Sequence, residues 1–127
     1  MAKTLGDFIR AARAQIREWD AETAHARLAA GGVLVVDVRE PDEFAAGNLL
    51  GALCVPRGIL EGAADPQYKL RVELLCRARR QPVLLYCQTG ARSAMAAVTL
   101  QEMGYCEVYS LAGGVECWLA EGYALES

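Results

Sequence analysis

The sequence predicts a single α/β domain with a mainly parallel central sheet and helices on both faces. Three observations carry that prediction. Strand-like and helix-like segments alternate along the chain, the pattern of parallel strands joined by crossover helices. Two short runs, Val33-Leu34-Val35-Val36 and Val83-Leu84-Leu85-Tyr86, are apolar at every position, so both of their faces need cover. The length, 127 residues, suits one domain with one ordinary core.

The elements follow in order. Thr4-x-x-Asp7 resembles a capping box, and Leu5, Phe8, Ile9, Ala12 and Ile16 recur at helical spacing. Residues 1–15 therefore read as an amphipathic helical extension ahead of a domain over 16–127. Its apolar stripe packs either on its own domain or against a partner or second copy. Ile16-Arg17-Glu18-Trp19 is a short strand candidate. Asp20 caps a helix over 21–30, which Gly31-Gly32 stops. Val33 to Val38 reads as a central strand, polar only at Asp37. Pro41 opens a short helix that Gly47 ends. Leu53-Cys54-Val55 is a strand candidate before Pro56. Residues 67–79 look helical, with Leu70, Leu74 and Leu75 on one side. Val83 to Tyr86 is the second buried strand, 93–103 a helix closed by Gly104, 107–109 the last strand and 115–120 the last helix.

Composition excludes several classes of function. Apolar residues make up 54% of the chain and charged residues 23%, which is globular and not disordered. Lys plus Arg is 13 and Asp plus Glu is 16, a net charge of −3, so neither nucleic acid nor an anionic membrane is an expected partner. No apolar run approaches the roughly 20 residues of a membrane span. The first seven residues hold no signal-peptide core. Five cysteines, Cys54, Cys76, Cys87, Cys106 and Cys117, contain no C-x-x-C pair, and His25 is the lone histidine. No metal site is expected. The odd cysteine count fits a reducing cytoplasm.

In parallel sheets the ligand lies beyond the carboxyl ends of the strands. Chemistry is therefore expected in Cys87-Gln88-Thr89-Gly90-Ala91-Arg92-Ser93, which joins an apolar strand to an Ala-rich helix. A thiol at the strand end projects toward the cleft. The following N–H groups can curl around its sulfur as an anion-binding nest, with Gly90 supplying the unusual backbone angles. The helix N-terminus and Arg92 add positive charge. A free thiol is only a few per cent ionised near neutrality, whereas such surroundings lower a cysteine pKa to about 3.5–7.5. Cys87 is thus expected to be largely thiolate at neutral pH.

The other four cysteines read as packing residues, with a resolving role for Cys106 or Cys117 as the sharper reading. His25 is expected to face solvent. Asp37 and Arg39 are expected to pair structurally at a strand end, Arg39 choosing among Asp37, Asp42 and Glu43. Arg57 is a candidate second cation at the pocket mouth.

These residues resemble the rhodanese superfamily over 16–124. One signature is Asp37-Val38-Arg39-Glu40-Pro41-Asp42-Glu43-Phe44, then Gly47-Asn48-Leu49-Leu50-Gly51-Ala52 and Val55-Pro56. The second is the Cys-x-x-Gly-x-Arg-Ser loop. The third is Leu111-Ala112-Gly113-Gly114-Val115-Glu116-Cys117-Trp118, similar to the family's closing Gly-Gly-x-x-x-Trp. Asn48 stands where the family usually has histidine. The resemblance implies a sulfurtransferase. Cys87 would take sulfane sulfur from an anionic donor such as thiosulfate, hold it as a persulfide, and pass it to a thiophilic acceptor, cyanide in assays or a thiol or protein. The amides from Gln88 to Ser93 would hold the persulfide anion, and Arg92 would favour anionic donors. No cofactor beyond the covalent sulfur is implied, and the chain would act as a monomer or homodimer.

Rival readings share the fold. Tyrosine-phosphatase or arsenate-reductase chemistry surrounds a tetrahedral anion with five residues between Cys and Arg. Here four residues separate Cys87 from Arg92, a smaller nest. A protein-to-protein sulfur relay would use the same persulfide, and a non-catalytic interaction module would use none.

Overall fold

The computed structural model describes all 127 residues. Five parallel strands form one sheet: β1 (Arg17–Trp19), β2 (Leu34–Asp37), β3 (Leu53–Cys54), β4 (Val83–Tyr86) and β5 (Val108–Leu111), in the order β1-β5-β4-β2-β3. Seven helices join or flank them: α1 (Leu5–Arg13), α2 (Ala21–Ala30), α3 (Pro41–Ala46), α4 (Leu60–Ala64), α5 (Glu73–Cys76), α6 (Ala91–Glu102) and α7 (Gly114–Ala120), with a 3-10 turn at Arg57–Ile59. This is the α/β architecture the alternation predicts. No helix is long and apolar enough to cross a membrane.

The central strand β4 and its neighbour β2 split the core by strand alternation. Val36, Val83, Leu85 and Cys87 join Leu60, Leu75, Ala96, Ala97 and Leu100 on the face covered by α4, α5 and α6. Val35, Leu84 and Tyr86 join Trp19, Leu49, Val115 and Trp118 on the face covered by α2 and α7. Alternation therefore sends the Cys87 side chain toward α6 and the Tyr86 ring to the opposite side. There the Tyr86 hydroxyl accepts from the Leu49 N–H at 3.0 Å.

Local signals explain most boundaries. Thr4 and Asp7 form the reciprocal capping box of α1, and the Asp20 side chain accepts from the Thr23 N–H at 2.8 Å to open α2. α1 packs along α6, burying Ala12 but leaving Leu5 and Phe8 exposed. Its stripe is therefore divided between its own domain and solvent. His25 is exposed, as expected, yet its ring stacks on Tyr123 at 4.0 Å.

One prediction fails clearly. Residues 67–79 are not one helix. The Asp65 carboxylate accepts from the Gln67 N–H at 2.9 Å, and the Val72 N–H donates to Ala63 O at 2.9 Å. These bonds fold the segment back on α4, and only Glu73–Cys76 is helical. Side-chain to backbone bonding of this kind competes with helix formation. Leu70, Leu74 and Leu75 do not share a buried side: Leu75 is fully buried, whereas Leu70 and Leu74 are 68% and 57% exposed. A smaller difference is the start of α6, at Ala91 in place of 93.

Leu75→Ala should therefore cost about 2–5 kcal/mol by removing a fully buried side chain. Leu74→Ala should change stability by no more than about 0.5 kcal/mol. Urea unfolding of both variants checks this, and equal losses would restore the single-helix reading.

Candidate active site

Cys87 is the first residue beyond β4 and is 1% exposed. Its Sγ accepts from the Gly90 N–H at 3.1 Å and from the Ser93 N–H at 3.4 Å. Gly90 makes the curl possible: its φ of 93° is left-handed, a conformation cheap only for glycine. The turn feeds straight into α6, which is why the helix begins two residues before the expected position. Ser93 Oγ lies 3.5 Å from the sulfur and 2.8 Å from Ser110 Oγ, and both serines are fully buried. The sulfur thus sits at the N-terminus of a twelve-residue helix, among donors suited to an anion. Two of the amides expected to hold it, those of Gly90 and Ser93, reach the reduced sulfur. Gln88 and Thr89 shape the turn, and the Thr89 side chain is exposed.

The loop's carbonyls are held on its other side. Cys87 O accepts from the Val115 N–H at 3.0 Å and Gln88 O from the Glu116 N–H at 3.1 Å. This contact depends on Gly113 and Gly114, both left-handed at φ 73° and 58°. A Cβ on Gly114 would stand 2.6 Å from the Gln88 carbonyl, a distance no side chain tolerates. The first turn of α7 thereby satisfies the outward carbonyls of the loop while its amides face the sulfur.

Two arginine clamps steady the loop from the β2 side. Asp37, fully buried, accepts from the Arg39 backbone N–H at 2.9 Å, from Nε at 3.0 Å and from Nη2 at 2.7 Å. Asp37 is thus the partner Arg39 selects. Arg39 also donates to Gly47 O at 2.6 Å and to Gln88 Oε1 at 3.2 Å, tying the β2 end to the cysteine loop. Burial works against its charge, but the hydrogen bonds and charge of Asp37 prevail and raise its pKa. The second clamp is Arg92, whose Nη1 and Nη2 donate to the Glu43 carboxylate at 2.8 and 3.0 Å. The Arg92 hydrogen bonds, aided by the Glu40 N–H, pull Glu43 down from 4.5 to about 2. Arg92 is therefore a cation already engaged by a carboxylate.

Arg57 is not brought to the loop. It donates to Glu61 at 3.0 Å and to Thr99 Oγ1 at 3.0 Å, lining a shallow pocket with Phe8, Ala12, Met95 and Val98 between α1 and α6. Its expected place at the mouth is corrected by these two bonds. Among the other cysteines, burial pushes the Cys54 and Cys76 thiols up. Cys106 and Cys117 are exposed and not packed as expected. Sequence reasoning missed Glu43 as the Arg92 partner and Ser110 as the Ser93 partner. The Glu43–Arg92 pair spans 49 residues, beyond any local periodic signal.

The Glu43–Arg92 pair sets a pH dependence. A carboxylate whose folded pKa lies below its ordinary value stabilises the fold fully above that ordinary value and loses the contribution as pH falls through the folded one. The stability advantage of wild type over Glu43→Gln should be constant above pH 4.5 and shrink steadily toward pH 2. Denaturant midpoints across that window check it, and a gap that stays constant down to pH 2 would contradict it.

Comparison with known proteins places this geometry. The Rhodanese-like domain family pattern matches residues 20–121. Bacillus subtilis YqhL is 39% identical over 84 residues, which are 66% of this chain and 59% of that protein. The chain thus spans less than two thirds of YqhL. The thiosulfate sulfurtransferase GlpE of Stutzerimonas stutzeri is 36% identical over 97 residues, 76% of this chain and 79% of GlpE. A solved structure from Rhodopseudomonas palustris, of a protein of unknown function named as a possible tyrosine phosphatase, superimposes with a TM-score of 0.91 at 29% identity. The match covers 99% of this chain and 96% of that one. With its sheet order, its cysteine loop and its Gly-Gly turn in place, the chain belongs to the rhodanese-like family.

Proposed function

We propose that this protein is a sulfurtransferase that carries sulfane sulfur as a persulfide on Cys87. The observation that carries the reading is the convergence of the Gly90 and Ser93 amides on Cys87 Sγ at 3.1 and 3.4 Å. That arrangement stabilises anionic sulfur at the start of a helix, and the GlpE relative supports thiosulfate as donor.

The reaction is a double displacement. The Cys87 thiolate attacks the sulfane sulfur of thiosulfate. A new S–S bond forms, the bond to the sulfonate sulfur breaks, and sulfite leaves with the electron pair. The loop N–H groups then hold the terminal persulfide anion, and their prior orientation lowers the cost of the charge it carries. A thiophilic acceptor, cyanide in an assay or a thiol or protein thiolate in a reducing cytoplasm, attacks the outer sulfur. The S–S bond breaks and the Cys87 thiolate returns. Neither a metal nor an organic cofactor enters this scheme.

Phosphate-ester chemistry fits less well. Four residues between Cys87 and Arg92 enclose a smaller space than a tetrahedral phosphate needs, and Arg92 is already bound to Glu43.

Intact mass after incubation with thiosulfate tests the proposal. Wild type should gain about 32 Da, one sulfur atom, removable by cyanide, and Cys87→Ser should gain nothing. An equal gain in Cys87→Ser, or no gain from thiosulfate or from polysulfide, would overturn it.

A further inference from the structure

The positive charge beside the cysteine loop has a second source, outside the residues that match the family. Arg13 is the last residue of α1 and precedes the matched segment, residues 20–121. Its Nη2 lies 3.6 Å from the point where a Cβ on Gly90 would stand. Gly90 is the residue whose N–H donates to Cys87 Sγ at 3.1 Å. The packing of α1 along α6 delivers the guanidinium to the flank of the loop.

The chain leaves this cation available. Its ionic contact is Nε to Glu18 Oε2 at 3.5 Å, a long pairing without a hydrogen bond. The side chain is 45% exposed. Arg92, by contrast, gives one N–H of each Nη group to Glu43, so a carboxylate already offsets its charge toward an anionic donor. Arg10, one turn earlier on α1, is paired with Asp7. Of these three arginines, only Arg13 combines an open guanidinium with a position against the loop.

We propose that Arg13 is the donor-binding cation of the site, contacting the oxyanion end of donors such as thiosulfate while their sulfane sulfur faces Cys87. This rests on the sulfurtransferase reading for the identity of the donor, though not for the presence of an anion site. The covalent step is unchanged; Arg13 holds the sulfonate that departs as sulfite. A charge-assisted contact of this kind strengthens donor binding on the order of tenfold. Added salt weakens it, because the group is partly exposed.

Two measurements separate the inference from the reading beneath it. In thiosulfate:cyanide turnover, Arg13→Gln should raise the KM for thiosulfate roughly five- to tenfold with kcat at saturation unchanged. Arg13→Lys should retain most of the wild-type KM, and Arg10→Gln should match wild type. Independently of turnover, the alkylation rates of Cys87 by anionic iodoacetate and neutral iodoacetamide are compared. The iodoacetate to iodoacetamide ratio should fall several-fold in Arg13→Gln, in proportion to the lost attraction, while the iodoacetamide rate holds. A ratio equal to wild type overturns the inference whatever the kinetics show. A lowered ratio in a protein that takes sulfur from neither thiosulfate nor polysulfide upholds the anion site and removes the sulfurtransferase reading. Unchanged iodoacetamide reactivity in Arg13→Gln also confirms that the loop is still folded.

Discussion

The site depends on two hydrogen bonds that lie behind the cysteine loop. A tight turn has carbonyls as well as amides, and amides cannot all face one sulfur unless the carbonyls find donors elsewhere. Val115 and Glu116 are those donors, reaching Cys87 O and Gln88 O at 3.0 and 3.1 Å. They come close enough only because Gly114 carries no side chain, after a left-handed turn that Gly113 supplies. The closing Gly-Gly of the sequence is therefore a packing requirement of the cysteine loop, although it lies more than twenty residues downstream of Cys87.

The remaining supports follow from where the sheet ends. β2 and β4 are adjacent, with Asp37 paired to Tyr86, so the polar end of one strand lies beside the cysteine loop of the other. A lone buried carboxylate there would be strongly destabilising. Arg39 resolves that by folding back onto Asp37 and then extends the tie to the Gln88 side chain. Arg92 and Glu43 repeat the arrangement nearer the surface. The two clamps neutralise charge locally. They leave the amide nest, and on the proposed reading Arg13, to set the preference for anions.

Much of this is legible in the residues, for physical reasons. Buried strands announce themselves as uninterrupted apolar runs, hence β2 and β4. Caps are local, hence Thr4, Asp20 and Gly47. A cysteine followed by glycine, arginine and a helix marks an anion site through chemistry alone. What is not legible is long-range or competitive. Glu43 finds Arg92 from the helix after the neighbouring strand, and Ser110 finds Ser93 from another strand; no spacing rule joins them. The segment 67–79 has helical apolar spacing, but the Asp65 carboxylate offers its backbone a different bond. Arg57 lies away from the mouth because Glu61 and Thr99 reach it first. Arg13 is hidden because its place depends on how α1 packs and not on its own helix face.

The central claim is that loop amides, held by the α7 turn, receive a sulfur atom on Cys87. A crystal structure of the wild-type protein after thiosulfate treatment tests it most directly. The account predicts one added atom on Cys87 Sγ, within hydrogen-bond distance of the loop amides, with the Val115 and Glu116 bonds intact. An unmodified Cys87 beside sulfur on another cysteine, or an added sulfur facing loop carbonyls, would contradict it.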